Sequence, residues 1–446
     1  MSRDRDRLSS DRPSSDRLAV PARRLSRLGR IGGMGASVAG NMIAEGTKRR
    51  MAGERPTRAE LLMTPTNAAR VADQLSQLRG AAMKVGQLLS MDGGDLVPPE
   101  LAGVFDRLRQ DAHAMPPKQL RRVLNDAWGR DWLRRFDKFG TEPIAAASIG
   151  QVHRGQTKDG RDLAVKVQYP GVRDAIASDV DNVATLIKLS GMVPGGVDVK
   201  PLLEEAKAQL AEEADYEREA TCLERFADLL ADDDAFVVPG VHDDLTTKDV
   251  LAMDYVPGAP IETLTDAPQD VRDRVMTKLL DLVMRELLVF RVMQTDPNFA
   301  NYLYQHDGGK VVLLDFGATR DVPDALSDGY RELLRAGMVL DWDRVRAAAV
   351  GMGLADDGIA GENEQTMAEI FEMAMEPMRH KGPYDFGATD LAARIRDHGV
   401  RLRTSGFDHL PPPAAVFFHR KFGGSYLLAA RLGARVDVGK LLAAYL

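Results

Sequence analysis

At 446 residues the chain is long for one simple core and fits about two or three compact units. Hydrophobic residues make up 44% and charged residues 28%, an ordinary globular balance, and a formal net charge of −7 excludes a whole-surface nucleic-acid binder, so basic surface is local. The single cysteine, Cys222, allows neither an intramolecular disulfide nor a Cys-rich zinc site, which is compatible with a reducing compartment.

The leader from Met1 to Arg30 is rich in arginine and serine, but Asp4, Asp6, Asp11 and Asp16 oppose an acid-poor transit peptide; it reads as a disordered, net-basic arm. Glycines interrupt the mildly apolar stretch Ile31 to Gly46. From Asn67 to Ser90 the positions Val71, Leu75, Leu78, Ala82, Val85 and Leu89 recur at helical spacing and place Lys84 and Gln87 on one face. Asp92, Gly93, Gly94, Pro98 and Pro99 break the pattern, and helical sequence follows toward Phe139. Beyond Gly140, Ile149 to Arg154 and Leu163 to Gln168 form an antiparallel hairpin across Lys158, Asp159 and Gly160. A helical pattern runs from Val180 to Leu230, and strands are expected at Phe236 to Val241 and Val250 to Tyr255, before Pro257 and Gly258. The remainder is mainly helical apart from a second hairpin, Asn301 to Tyr304 with Val311 to Leu314, turning at Gly308-Gly309. The most apolar run, Leu279 to Met293, contains Asp281, Arg285, Glu286 and Arg291 and is no membrane span.

The chemistry lies in an ordered set. Asp296 and Asn301 stand five positions apart at the end of the apolar helix, and Asp315 follows in Asp315-Phe316-Gly317 after the hairpin. In kinase-type phosphoryl transfer an Asp positions the acceptor, an Asn five residues on holds Mg²⁺, and the Asp of a D-F-G turn holds Mg²⁺ at the phosphates. Mg²⁺ favours hard oxygen ligands, which suits Asn301 and Asp315. Upstream, Lys166 sits in the apolar strand Ala164-Val165-Lys166-Val167, where a kinase lysine reaches the α and β phosphates. A buried ammonium needs an anion. Glu213 and Asp215 are the candidates for that orienting carboxylate, with Glu219, one and a half turns beyond Glu213, as an additional contributor. The stretch Met253 to Gly258 falls where an adenine-binding connector belongs, and the backbone of Asp254 and Val256 is assigned to it. A second Asp385-Phe386-Gly387 lacks the companion residues and is assigned to chance.

Two features depart from an ordinary kinase. No G-x-G-x-x-G precedes Lys166; the turn reads Ala145-Ala146-Ala147-Ser148-Ile149-Gly150, which keeps backbone donors but loses glycine's freedom at positive φ. No A-P-E follows Asp315, which leaves little room for a peptide-docking segment. With these departures, residues 60 to 435 resemble the UbiB, or aarF-domain, family of atypical kinases. The likeness rests on the K-x-G-Q motif Lys84-Val85-Gly86-Gln87, the alanine-rich loop Ala145 to Ser148, Ala164 to Gly171, Asp215 to Ala220, and Pro411-Pro412-Pro413 with His419-Arg420-Lys421. The catalytic loop Asp296-Pro297-Asn298-Phe299-Ala300-Asn301, where many bacterial members have D-P-H-P-G-N, is similar to the mitochondrial-type branch and its bacterial relatives.

The resemblance implies an α+β, bilobal atypical protein-kinase-like fold with an N-terminal helical extension and a mainly helical C-lobe. On that plan residues 1–55 are a basic leader, 56–140 the K-x-G-Q extension, 141–258 the N-lobe and 259–446 the C-lobe. It further implies ATP or ADP with Mg²⁺ as cofactors and support of ubiquinone biosynthesis, with that pathway's enzymes or lipid and quinone precursors as partners. The extension would lay Lys84 over the nucleotide as a third catalytic residue beside Asp296 and Lys166. Ala145, Ala146, Ala147, Ser148 and Glu213 would line the nucleotide site, and His419 to Lys421 are read as structural. The family's C-terminal membrane-spanning segments have no counterpart here, so the expectation is a cytoplasmic protein in peripheral contact with the inner membrane, with self-association through its amphipathic extension. Two activities share such a site: phosphoryl transfer or ATP hydrolysis directed at a small or lipid-related acceptor, and nucleotide-gated binding of quinone precursors with little catalysis.

Overall fold

In the computed structural model the described residues are 44, 47–49, 51, 115–189, 200–405, 409 and 411–446. The amphipathic helix expected from Asn67 to Ser90, with Lys84 and Gln87, lies outside them, as does the leader to Arg30.

The small lobe opens with α1 (Pro117–Trp128), whose apolar residues Leu120, Val123, Leu124 and Trp128 make one buried face. A 3-10 turn leads into β1 (Phe136–Phe139), which is paired with the sheet although this stretch reads as helical in sequence. The aromatic cluster explains the difference: Phe136 stacks on Trp128 with centroids 5.4 Å apart, and Phe139 meets Trp132 edge-on at 4.9 Å. β2 (Ala145–Ala146), β3 (Gly150–Thr157) and β4 (Asp162–Gln168) complete the expected hairpin, with Val152 opposite Lys166.

The long helical pattern that follows divides into α2 (Val172–Leu189), α3 (Lys200–Glu213) and α4 (Tyr216–Leu229). α3 and α4 are separated at Ala214-Asp215, where the Asp215 side chain accepts from the Arg218 backbone N–H and caps α4. β5 is only Phe236–Val237, shorter than the strand expected to Val241. It pairs in parallel with a large-lobe strand rather than with the small sheet. β6 (Val250–Asp254) runs antiparallel to β4 and completes the five-stranded sheet, in which β1, β3, β4 and β6 lie side by side and β2 pairs with β3.

Strand alternation decides what β4 does. Leu163, Val165 and Val167 point to the α1 side and join its aromatic core. Ala164, Lys166 and Gln168 point the other way, toward α4 and the large lobe, and the Gln168 amide donates to Ala214 O at 2.8 Å.

The large lobe begins with β7 (Ala259–Pro260), a 3-10 turn and α5 (Gln269–Arg285), which runs into a π-helical turn, Glu286–Phe290, and then β8 (Val292–Gln294). β9 (Tyr302–Gln305) and β10 (Lys310–Leu313) form the second expected hairpin. Its turn uses Gly308 and Gly309 at φ 98° and 66°, values that glycine alone adopts freely. β11 (Thr319–Asp321) pairs back on β8. The rest is α6 (Asp324–Met338), α7 (Trp342–Gly351), α8 (Glu362–Arg379), β12 (Tyr384–Asp385), α9 (Leu391–Thr404), α10 (Pro413–Leu432), β13 (Arg435–Val436) and α11 (Val438–Ala443). This is a bilobal α+β molecule with a mainly helical larger lobe, and no described helix is long and apolar enough to cross a membrane.

Candidate active site

α4 buries Tyr216, Glu219, Ala220, Leu223 and Phe226, a spacing that turns Glu219 inward among apolar neighbours. There its carboxylate accepts from Lys166 Nζ at 2.5 Å, and the same ammonium reaches Asp315 Oδ2 at 3.4 Å. The helix carboxylate paired with Lys166 is therefore Glu219. Glu213 and Asp215 do not fill the orienting role, because the break between α3 and α4 leaves Glu213 ending one helix and spends Asp215 as the cap of the next. Burial alone would discharge both members of the pair. For Lys166 the two carboxylates outweigh burial and hold its pKa above the usual lysine range. For Glu219 burial dominates, aided by Asp315, and raises its pKa despite Lys166.

The Asp315 turn is tied down on every side. Its Oδ1 accepts from the Gly317 N–H at 3.0 Å, and the Phe316 ring packs under α4 against Phe226 with centroids 4.6 Å apart. Arg218 donates to Gly317 O at 2.7 Å and also to Thr319 O. Asp385 makes the same local turn, accepting from the Gly387 N–H at 3.0 Å, but its other oxygen is held by Arg435. The second D-F-G is thus a turn with no catalytic neighbours.

Asp296 and Asn301 enter on the loop between β8 and β9. Thr295 anchors its start, donating from both N–H and Oγ1 to Ala318 O, and Asn298 caps the short 3-10 turn Phe299–Asn301. Asn301 Nδ2 donates to Asp296 Oδ2 at 3.4 Å, while Asn301 O accepts from Leu314 N at 3.0 Å, beside Asp315. These bonds set Asp296 and Asn301 beside the strand end that leads into Asp315, and Asp315 beside Lys166. Among the described residues no cluster of three or more His, Cys, Asp or Glu side chains makes a metal site of its own. The amide oxygen of Asn301 and the Asp315 carboxylate are nevertheless the hard donors Mg²⁺ takes when phosphates supply the remaining ligands, and the residues present fit that ion.

The alanine turn closes tightly, with the Ala147 N–H donating to Gly150 O at 3.0 Å. A side chain at Gly150 would place its Cβ 2.4 Å from Val167 O, so only glycine lets β3 lie this close to β4. Ser148 Oγ donates to Glu213 Oε2 at 2.7 Å, a contact the sequence does not announce. At the connector, the Asp254 N–H already donates to Gly240 O, which leaves only its carbonyl for a ligand; Val256 lies just past the strand, half-buried. Glu219 is the residue that sequence underrates. Its signal was present, since an Asp followed by Glu217 and Glu219 marks a new helix start at Asp215.

A family model described as the ABC1 atypical kinase-like domain matches residues 107–349. The chain is similar to the atypical kinase COQ8B, mitochondrial, of Rattus norvegicus, at 40% identity over 427 residues, covering 94% of this chain and 79% of that protein. It is also similar to the atypical kinase COQ8, mitochondrial, of Saccharomyces cerevisiae, at 36% identity covering 95% and 85%. The Rv3197–erythromycin complex from Mycobacterium tuberculosis has the same fold, with a TM-score of 0.58 at 24% identity over 85% of this chain and 96% of that one. The buried Lys166–Glu219 pair, the anchored Asp315 turn and these likenesses converge: the chain belongs to the ABC1, or UbiB/aarF, family of atypical kinases.

Proposed function

We propose that the chain binds ATP with Mg²⁺ and transfers or hydrolyses its terminal phosphoryl group, acting on a small or lipid-related acceptor in support of ubiquinone (coenzyme Q) biosynthesis. The observation that carries the chemistry is the convergence of Lys166, Glu219 and Asp315, with Lys166 Nζ 2.5 Å from one carboxylate and 3.4 Å from the other. The pathway rests on the resemblance and on the similarity to COQ8 proteins.

Glu219 holds the Lys166 ammonium at a fixed height above Asp315, where it donates to the α and β phosphates. Asn301 and Asp315 are the residues that would hold Mg²⁺, which would supply neutralisation of charge on the phosphates. Asp296 orients the acceptor hydroxyl and takes its proton; its own contacts, from Asn298 N at 3.3 Å and Asn301 Nδ2 at 3.4 Å, are long and leave the carboxylate competent to accept. The alanine turn, tied to Glu213 through Ser148, covers the nucleotide, and the Asp254 carbonyl and Val256 edge the adenine. Residues 316–323 are short and anchored, which favours a small acceptor over a docked peptide.

The test is Mg²⁺-dependent ATP turnover with membranes or quinone-precursor-like phenols added. Turnover that both Asp315→Asn and Asp296→Asn abolish, with nucleotide binding kept in Asp296→Asn, supports the reading. Tight nucleotide binding without turnover in the unaltered protein overturns it in favour of a nucleotide-gated binder.

A further inference from the structure

A second lysine is buried in the larger lobe. Lys421 sits on α10, on a face whose members Phe417, Gly424 and Leu428 recur at helical spacing, and its side chain is 4% exposed. Its ammonium donates to Gln294 Oε1 at 2.8 Å and to Tyr302 OH at 2.8 Å, and lies 3.9 Å from Glu286 Oε2. Gln294 is the last residue of β8 and Tyr302 the first of β9, so one ammonium bonds both ends of the segment that carries Asp296 and Asn301.

The surrounding structure serves the same geometry. Glu286 is turned inward where α5 passes into its π-helical turn, a distortion often met at functional sites, and its Oε1 accepts from the Gln294 backbone N–H at 3.4 Å. One turn along α10 from Lys421, a Cβ on Gly424 would stand 2.3 Å from the Pro297 side chain, so the helix backbone is pressed against the residue next to Asp296. A buried ion pair contributes little net stability, and apolar residues of like volume commonly replace one at no cost. Stability alone does not account for an ammonium whose hydrogen bonds both go to the ends of one loop.

We propose that Lys421 is a positioning residue: it clamps Gln294 to Tyr302 and so fixes the reach of Asp296 toward the acceptor and of Asn301 toward the cation. The inference rests on the phosphoryl-transfer reading of the site, but it has a readout of its own.

The test uses the full chain carrying the paired substitution Glu286→Gln with Lys421→Met, which removes both buried charges together, and Tyr302→Phe, which deletes a single acceptor oxygen. Three quantities are measured: the unfolding midpoint, kcat and KM for ATP, and the Mg²⁺ concentration giving half-maximal nucleotide binding. A clamp predicts that the paired variant keeps a near-normal midpoint while kcat falls about 10- to 100-fold, the scale of a small misplacement of a catalytic group. Its Mg²⁺ requirement rises, and Tyr302→Phe shifts the same two quantities by a smaller factor. Normal kcat and Mg²⁺ dependence in the folded paired variant would show that Lys421 merely neutralises Glu286 and would overturn the inference. Should the paired variant fail to fold, Tyr302→Phe decides alone, an unchanged Mg²⁺ requirement counting against the clamp. Absence of turnover in the unaltered protein defeats only the phosphoryl-transfer reading, because the Mg²⁺ dependence of nucleotide binding still reports where Asn301 sits.

Discussion

Glu213 accepts the Ser148 hydroxyl at 2.7 Å, joining the alanine turn to the last residue of α3. Ser148→Ala removes this latch without touching Lys166 or Asp315. The expected outcome is nucleotide release a few-fold faster, with a loss of stability of about 1 kcal/mol, as for a half-buried hydrogen bond. Stopped-flow dissociation of a fluorescent ATP analogue checks it; an unchanged off-rate would show that the turn is held by its backbone alone.

Lys166→Met leaves Glu219 buried opposite no cation, which costs about 3–5 kcal/mol. Adding Glu219→Leu removes the orphaned charge, and most of that stability should return, while nucleotide binding stays lost in both proteins. Denaturant titration and calorimetric binding separate the two effects. Recovery of binding in the double variant would mean that the phosphates are held elsewhere.

A pH effect is expected from His153. It lies in a buried chain in which the Met115 N–H donates to Gln151 Oε1 at 2.7 Å, Gln151 Nε2 donates to His153 Nε2 at 2.7 Å, and His153 Nδ1 donates to Gly140 O at 2.8 Å. That order uses Nε2 as an acceptor, so the imidazole is neutral. Burial lowers its pKa, against the smaller upward pull of Gly140 O and Glu142. Below the ordinary histidine value of about 6.5 the unfolded chain takes up a proton that the native one refuses, so this part of the stability is complete above that pH and declines as pH falls through it. Denaturation at pH 7.5 and pH 5.5 should show a smaller difference for His153→Leu than for the unaltered protein.

Gly424→Ala tests how closely α10 supports the catalytic loop. Alanine favours the helix by about 1 kcal/mol, but its Cβ would meet the Pro297 side chain at 2.3 Å. The expected result is a fall in kcat out of proportion to any change in the unfolding midpoint. Wild-type kcat would mean that Pro297 yields without moving Asp296.

What was legible in the sequence was local. Lys166, Asn301 and Asp315 announce themselves because each belongs to a short pattern whose strand or turn is fixed by its neighbours, and the two hairpins follow from Asp159-Gly160 and Gly308-Gly309. The partner of Lys166 was not legible in the same way. Periodicity ran straight through Ala214-Asp215, and a helix taken as continuous offers Glu213 and Glu219 alike; only the cap at Asp215 resets the register and turns Glu219 inward. The stretch of β1 reads as helical because Trp128, Trp132, Phe136 and Phe139 also fit helical spacing, and what decides for a strand is pairing with β3, further along the chain. Lys421 lies far along the chain from Gln294 and Tyr302, and no local pattern names them as partners. In sequence the run His419 to Lys421 reads as structural, because nothing in its spacing marks Lys421 out.

Arg218 holds Gly317 O and Thr319 O, Phe316 packs on Phe226, and Arg320 reaches back to Glu212 at 2.9 Å. Arg218 and Phe226 lie on α4 and Glu212 on α3, so both helices are coupled to the segment after Asp315, like jaws closed on one plate. A tilt of α4 therefore carries Glu219 and the Asp315 turn together, so that among the described residues the two carboxylates facing Lys166 move as one body.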